Sequence, residues 1–188
     1  YCFKNDEDIA NIKEMRATLG DDIGIMIDVN QGWSVDEAIK VSKKIEHYNP
    51  EWLEEPVMAD DFDGYEKICK STSIPIVTGE NNFTHNDLLP FMKNKKIRIL
   101  QPDIMRGGYT NLIYTSHLAD QYGTKIAPHM FPELSIHIVA SIENPSWLEY
   151  MGWYDHLWKE PLIPVNGTLK PTNRPGHGMD FKTEIYTL

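Results

Sequence analysis

The chain has 188 residues, of which 41% are hydrophobic and 24% charged, so it is long enough to bury a core. A net charge of −10 without a Lys/Arg-rich patch argues against nucleic acid as a partner. No apolar run approaches the roughly 18 residues that a membrane span needs. The two cysteines, Cys2 and Cys69, form no disulfide framework, which favours a reduced cytoplasmic compartment.

Short β-type runs alternate with helical patterns through residues 1–150. The predicted strands are 24–30, 51–55, 74–80, 97–103, 125–129 and 147–150. The predicted helices between them are 34–48, 62–71, 85–93, 110–123 and 133–142. Ser34 and Glu37 have the spacing of a capping box at the start of the first of these helices. Strict alternation predicts an α/β fold with parallel strands and crossover helices.

A doubly wound sheet and a closed barrel both satisfy this alternation. No Gly-rich phosphate turn follows a predicted strand, because the sequence RGGYT after Asp103 lacks the required spacing, so a dinucleotide site is not favoured. From Met151 onward the chain is rich in Pro, Gly and aromatic residues without a helical period. We therefore predict a main body over residues 1–150 and an extended C-terminal tail over 151–188 that packs on it.

One ionisable residue stands at the carboxyl end of each predicted strand. These residues are Asp28, Glu54, Glu80, Asp103, His129 and Glu149, at successive spacings of 26, 26, 23, 26 and 20 residues. Each has a structural interpretation when taken alone, such as a turn residue for Asp28 or a helix N-cap for Asp103. Six in register favour a functional interpretation, since the carboxyl ends of barrel strands converge on one mouth where active sites lie.

The residue types indicate a chemistry. Asp28, Glu54 and Glu80 follow consecutive strands, and three neighbouring carboxylates repel one another unless a cation neutralises them. Oxygen ligands without Cys or His favour Mg²⁺ over zinc. Asp103 and His129 follow the next two strands, where the carboxylate could fix the imidazole tautomer of a general base.

Six motifs carry a family resemblance: IMIDVNQGW, WLEEP, TGEN, QPD, APHMFPELSIH and WLE. In this order and spacing they resemble the barrel domain of the enolase superfamily, in the mandelate racemase subgroup. The resemblance implies a (β/α)7β TIM-type barrel, represented here from its third strand onward and without the N-terminal capping domain. The Asp103 position favours the His–Asp type over the muconate-lactonizing branch, which has a lysine there.

The resemblance also implies a role for each site residue. Asp28, Glu54 and Glu80 would ligate Mg²⁺, and Glu55 would support them from outside the coordination sphere. The pair of Asp103 and His129 would move the proton next to the substrate carboxylate. Glu149 would be the acid that hydrogen-bonds the enediolate, and Asn30 would contact the metal or a substrate hydroxyl.

The activity implied is a magnesium-dependent lyase that dehydrates a small-molecule sugar acid to a 2-keto-3-deoxy acid. A racemase or epimerase of a 2-hydroxy acid is an alternative, and an inactive barrel fragment with a structural or binding role is another. A homo-oligomer is expected for the full-length protein. The Lys-x-Lys motif of the family falls at or before the start of this sequence, and neither Cys2 nor Lys4 is assigned to it.

Overall fold

The structure is a computed structural model that describes residues 5–184. It contains five short strands: β1 (Met26–Asp28), β2 (Trp52–Glu54), β3 (Ile76–Val77), β4 (Ile99–Leu100) and β5 (Lys125–Ile126). These five strands pair in parallel, in the order β1-β2-β3 and β4-β5, and a bridge between Thr78 and Leu100 links the two sheets. Neighbours in the sheet are thus neighbours in the sequence without a reversal of order, which favours an arc of a barrel over a doubly wound sheet.

Helices separate the strands, as the alternation predicts. They are α1 (Asn5–Leu19), α2 (Val35–Ile45), α3 (Phe62–Ser71), α4 (His85–Lys93), α5 (Ile104–Gln121) and α6 (Pro132–Val139), with 3₁₀ turns at Glu46–Tyr48 and Gly152–Leu157. Consecutive helices pack side by side, α1 on α2, α2 on α3, α4 on α5 and α5 on α6. The predicted capping box of α2 is confirmed, because Ser34 and Glu37 exchange backbone and side-chain hydrogen bonds.

The core lies between the strands and these helices. It includes Leu53 of β2, Ile76 of β3 and Leu100 of β4, each at most 1% exposed. Tyr65 of α3 and Phe91 of α4 are equally buried and meet edge to face, with ring centroids 5.0 Å apart. Burying aromatic and branched side chains of this size contributes roughly 1.5–3 kcal/mol each, so the strands are held by their helices rather than by long hydrogen-bond ladders.

Three sequence predictions about element bounds are wrong in detail. The strands are two or three residues long, since the chain leaves the sheet before the predicted ends. Residues 147–150 do not form a strand, because pairing beside β5 stops at a single bridge between Ile126 and Pro145. Helix α5 begins at Ile104 rather than at 110, because a short helical turn precedes Gly108, whose φ of 71° interrupts the backbone; the part after this kink corresponds to the helix predicted from 110.

The segment after Met151 forms no further helix apart from the second 3₁₀ turn, within the residues described up to 184. Trp158, Leu162 and Met179 are buried together against Ile136 of α6. The division at residue 150 stays a prediction, although this packing agrees with a tail that lies on the main body. None of the helices in residues 5–184 combines the length and apolar character needed to cross a membrane.

Candidate active site

The carboxyl ends of the strands bring the predicted site residues to one edge of the sheet. Asp28 and Glu54 are direct partners in the register of β1 and β2. Glu80 follows β3 after Gly79, and a parallel bridge joins Asp103 to His129 beyond the ends of β4 and β5.

Gly79 explains how the chain turns Glu80 into this edge. Its φ is +136°, a backbone conformation that residues with a Cβ rarely adopt. A Cβ at this position would lie 2.9 Å from the backbone nitrogen of Gln101. Only glycine therefore allows the close approach of the two strand ends that brings Glu80 toward His129.

Asp28 is the most exposed of the three predicted metal ligands, since it lies on the outermost strand of the described sheet. Its Oδ1 accepts a hydrogen bond from the backbone N–H of Asn30 at 2.8 Å, and its Oδ2 accepts one from Asn30 Nδ2 at 2.8 Å. Asn30 adopts a φ of 51°, which asparagine tolerates better than most residues. The predicted site residue Asn30 thus holds Asp28 in place.

The ionised form of Glu54 is disfavoured by its surroundings. Its pKa is raised to about 7, first by burial and then by the negative charges of Asp28 and Glu80. Hydrogen bonds from Gln101 and from the Trp52 indole, whose Nε1 lies 3.1 Å from Glu54 Oε2, oppose this rise. The pKa of Glu80 is also raised by burial, with Asp28 and Glu149 adding to the effect and His129 opposing it.

His129 is held between two carboxylates. Its Nδ1 lies 3.2 Å from Asp103 Oδ2 and its Nε2 lies 3.0 Å from Glu80 Oε2. Burial alone would lower the pKa of His129, but the hydrogen bond to Asp103 and the charges of Glu80 and Glu149 raise it overall. The contact between Asp103 and His129 has the geometry of the predicted dyad, whereas the contact with Glu80 is not predicted from the sequence.

Asp103 has both of the roles that its sequence position suggests. Its Oδ1 accepts a hydrogen bond from the backbone N–H of Met105 at 2.6 Å, which caps the first turn of α5. Its Oδ2 faces His129. Because one oxygen is fixed by the helix, the other presents a fixed acceptor to Nδ1, which leaves Nε2 as the nitrogen that can exchange a proton at the mouth.

Glu149 reaches the site from an extended segment instead of a strand. Its Oε2 accepts a hydrogen bond from the backbone N–H of Met130 at 2.6 Å. Met130 and Phe131 have φ values of 49° and 46°, so two consecutive bulky residues are left-handed next to His129. Such backbone costs on the order of 1 kcal/mol per residue and persists only where its surroundings impose it.

Glu55 lies completely buried behind the site. Burial raises its pKa to about 7, and the charge of Glu80 adds to the effect. Its Oε2 accepts a hydrogen bond from Asn81 Nδ2 at 2.7 Å, and the same nitrogen lies 3.1 Å from Glu80 Oε1. Asn81 Oδ1 in turn accepts a hydrogen bond from Arg106 at 2.9 Å. Glu55 is a predicted site residue, whereas Asn81, which links it to Glu80 and Arg106, is a part of the site that sequence reasoning misses.

Backbone strain offers a signal that a sequence pattern cannot supply. Several left-handed residues other than glycine lie at a predicted site position or within two residues after one: they are Asn30, Gln31, Glu55, Met130 and Phe131. Strained backbone of this kind concentrates at active sites, where surrounding structure over-determines it.

The donor chemistry at this edge fits a hard divalent cation. The negative charges of Asp28 and Glu80 help to raise the pKa of Glu54, which a bound cation would counteract. Oε1 of Glu55 is buried without a hydrogen-bond partner among the described residues. As the side chains are oriented, however, residues 5–184 contain no cluster of three or more His, Cys, Asp or Glu groups that could hold a metal ion.

Taken together, an arc of parallel strands with a His–Asp contact and grouped carboxylates at its carboxyl end defines a partial, TIM-barrel-like α/β fold. Residues 3–185 match the family described as enolase C-terminal domain-like. The chain therefore belongs to this family, which confirms the resemblance found in the sequence.

Individual relatives refine this placement. The chain is 32% identical over 176 residues to L-talarate/galactarate dehydratase of Salmonella typhimurium, covering 93% of this chain and 44% of the relative. It superimposes with a TM-score of 0.91 on L-talarate dehydratase from Polaromonas sp. JS666 complexed with Mg and L-glucarate, at 29% identity, covering 98% of this chain and 52% of that one.

A racemase from Streptomyces coelicolor A3(2) with bound magnesium gives a TM-score of 0.92 at 28% identity, covering 97% of this chain and 51% of that one. The chain thus spans about half the length of the relatives it matches. Solved relatives bind magnesium, and they include both dehydratases and a racemase.

The sequence assigns neither Cys2 nor Lys4 to the Lys-x-Lys motif, and both residues lie outside the described part of the chain.

Proposed function

We propose that this chain is the catalytic barrel portion of a magnesium-dependent enzyme that removes the proton next to a carboxylate of a sugar acid. The observation that carries the proposal is the placement of His129, whose Nδ1 faces Asp103 while Nε2 points to a second carboxylate at the mouth. The dehydratases among the relatives support dehydration as the overall reaction.

Different residues of the chain would bind the cation and position its ligands. Asp28, Glu54 and Glu80 would hold a divalent cation, which when bound supplies stabilisation of the negative charge that develops on the substrate carboxylate. Asn30 and Asn81 orient Asp28 and Glu80 through their side-chain amides. Glu55 supports the same group from behind, by way of Asn81.

His129 would carry out the proton transfer. With Asp103 accepting from Nδ1–H, the neutral imidazole exposes a lone pair at Nε2 and can accept the substrate's α-proton. Glu80 pairs with this nitrogen at 3.0 Å, so Nε2 is free for substrate only when Glu80 turns toward another partner. The protonated imidazole can then donate this proton to the departing β-hydroxyl, which leaves as water.

Glu149 would act on the substrate carboxylate after the α-proton has been removed. Its Oε2 is fixed by the Met130 N–H, which leaves Oε1 for the substrate side. A protonated Oε1 would donate a hydrogen bond to the enediolate oxygen and stabilise it. This role stays a proposal, as do those of the other site residues.

The test is a product assay. The full protein with Mg²⁺ would be incubated with a library of aldonic and aldaric acids, and 2-keto products would be trapped and quantified. A 2-keto acid formed from one or more of them is the expected result. No keto product, combined with no exchange of the α-proton in D₂O, would overturn the proposal.

A racemase or epimerase is the second candidate, and the likeness to the Streptomyces coelicolor racemase favours it. It predicts exchange of the α-proton with D₂O without a keto product, together with inversion at the same carbon. An inactive barrel with a binding role predicts neither reaction.

A further inference from the structure

The left-handed pair of Met130 and Phe131 connects His129 to helix α6. Neither residue favours a positive φ, so contacts from outside the segment must impose this backbone. The segment is therefore the point at which distant parts of the chain can set the position of His129 relative to Glu149.

Three contacts act on the segment directly. Glu149 accepts from the Met130 N–H at 2.6 Å, and Ser135 Oγ donates to the Met130 carbonyl at 3.2 Å. The ring of Phe131 stacks on Tyr154 of the tail, with centroids 5.6 Å apart and planes inclined by 11°. The last contact shows that the tail reaches the segment.

A second tail contact fixes the start of α6. Glu133, in the first turn, is 2% exposed, and its Oε1 accepts a hydrogen bond from Trp158 Nε1 at 3.1 Å. Trp158 is 8% exposed and stacks on Phe181, with centroids 4.4 Å apart. A buried carboxylate that loses its donor is strongly disfavoured, so this bond ties the helix start to the tail.

We propose that Trp158 is a positioning residue for the reaction. Its indole N–H holds Glu133 and thereby the first turn of α6, and Tyr154 holds Phe131 from the same tail. Together they keep the Met130 N–H aimed at Glu149 while His129 stays opposite Asp103. The C-terminal tail thus sets the distance between the base and the acid. This inference rests on the proposed function for its catalytic consequence, although the coupling itself does not.

The kinetic test uses the full protein with Mg²⁺ and its best substrate. Trp158→Phe keeps an aromatic ring over Phe181 but removes the donor to Glu133. We expect kcat to fall about ten- to a hundredfold with KM changed less than about twofold, because the base and acid are displaced rather than the substrate site. Glu133→Gln keeps an acceptor oxygen and should stay within about threefold of the parent.

Trp153→Phe is the matched control, since Trp153 lies in the same tail and is 60% exposed. A purely structural role of Trp158 would lower the melting temperature of Trp158→Phe without changing kcat at 25 °C, and that result would overturn the proposal. Should Trp158→Phe fail to fold, Tyr154→Leu decides, with the same fall in kcat expected from the lost stack.

A substrate-free measurement separates this inference from the proposed function. Amide hydrogen exchange of residues 129–135, followed by mass spectrometry, should accelerate in Trp158→Phe and stay unchanged in Trp153→Phe. Faster exchange in a protein that acts on no acid would support the coupling and refute only the proposed function. Unchanged exchange in Trp158→Phe would refute the coupling whether or not the protein is active.

Discussion

The two sides of the candidate site differ in how their charges are compensated. The carboxylate side consists of Asp28, Glu54 and Glu80, and the dyad side of Asp103, His129 and Glu149. On the dyad side each group has a partner from the chain, a helix N–H for Asp103, Asp103 for His129 and the Met130 N–H for Glu149. On the carboxylate side the groups also accept hydrogen bonds, from Asn30, Trp52 and Asn81, but burial and neighbouring negative charge still raise the pKa values of Glu54 and Glu80.

This difference teaches that the two sides are completed by different means. The dyad side is organised by the fold itself, so its geometry exists before any ligand binds. On the carboxylate side, burial and like charges disfavour the ionised groups, so a bound cation would stabilise this side more than the other. Glu80 belongs to both, because it pairs with His129 while it repels Asp28. The following predictions test this division, from the largest expected effect to the smallest.

The largest effect is expected from His129→Asn. Removing the base should slow α-proton exchange by about 10²–10⁴-fold, the usual contribution of a general acid–base group. Exchange would be followed by proton NMR in D₂O with Mg²⁺ present. The rise in melting temperature on adding Mg²⁺ should persist, since His129 lies on the dyad side. The exposed His117→Asn is the control, and an equal loss of exchange there would contradict the assignment.

The next effect concerns the pH dependence of the metal-free protein. Glu54 has a folded pKa of about 7, above its ordinary value of 4.5, so its proton stabilises the folded state at low pH. That contribution is complete below about pH 4.5 and is lost as the pH rises through 7. Glu54→Gln should therefore match the parent at pH 4 and exceed its free energy of unfolding by up to about 3 kcal/mol at pH 8.

Urea unfolding in EDTA at several pH values measures this difference. Glu51→Gln, which alters an exposed glutamate just before the same strand, is the control and should show no such pH trend. With Mg²⁺ the order should reverse, because Glu54→Gln loses a ligand. A Glu54→Gln variant that is less stable than the parent at pH 8 without metal would show that the ionised Glu54 carboxylate does not destabilise the folded protein.

A third effect is expected where the two sides meet. Gly79→Ala would place a Cβ 2.9 Å from the Gln101 nitrogen at a φ of +136°, so the strand ends must separate. We expect a loss of about 2–4 kcal/mol in the free energy of unfolding, from overpacking and backbone strain combined. Gly123→Ala has a φ of +70° and open space around the Cβ, so it should lose only about 1 kcal/mol. Equal losses would mean that close approach at Gly79 is unimportant.

The smallest effect on stability is expected from Asn30→Gly. Glycine accepts the φ of 51° without strain, so the free energy of unfolding should change by less than about 1 kcal/mol. Asp28 nevertheless loses the Nδ2 donor at 2.8 Å, and Mg²⁺ affinity measured by calorimetry should decline a few-fold. Unchanged affinity would show that Asn30 does not position the carboxylate side.

The sequence predicts the positions of the site better than its contacts. The spacing of ionisable residues correctly locates Asp28, Glu54, Glu80, Asp103 and His129 at or just beyond strand ends, because the βα repeat determines which residues leave the sheet at the same edge. The strand that it predicts for Glu149 is not formed. It does not predict that Glu80 meets His129, since that contact depends on the close approach at Gly79. Nor does it predict Asn81, whose role arises from lying between Glu55 and Glu80 in space.

Element bounds show the same limit. The apolar patterns for α3 and α4 predict 62–71 and 85–93, which the structure reproduces, because these helices have clear N-caps at Asp61 and Thr84. The pattern of residues 147–150 suggests a strand, yet pairing with β5 ends at Pro145. Glu149 is instead oriented by a backbone donor at Met130, and a hydrogen bond between an extended segment and a strained loop leaves no period in the sequence.

Asp103 has a consequence for how this protein can lose its chemistry. One oxygen of the carboxylate caps α5, and the other orients the imidazole. Asparagine is also a good helix cap, so Asp103→Asn would preserve the fold while replacing the anionic acceptor that faces Nδ1. A single substitution could therefore give a stable variant that lacks the proposed activity. Natural sequences with asparagine at this position should be sought among folded binding proteins rather than among misfolded ones.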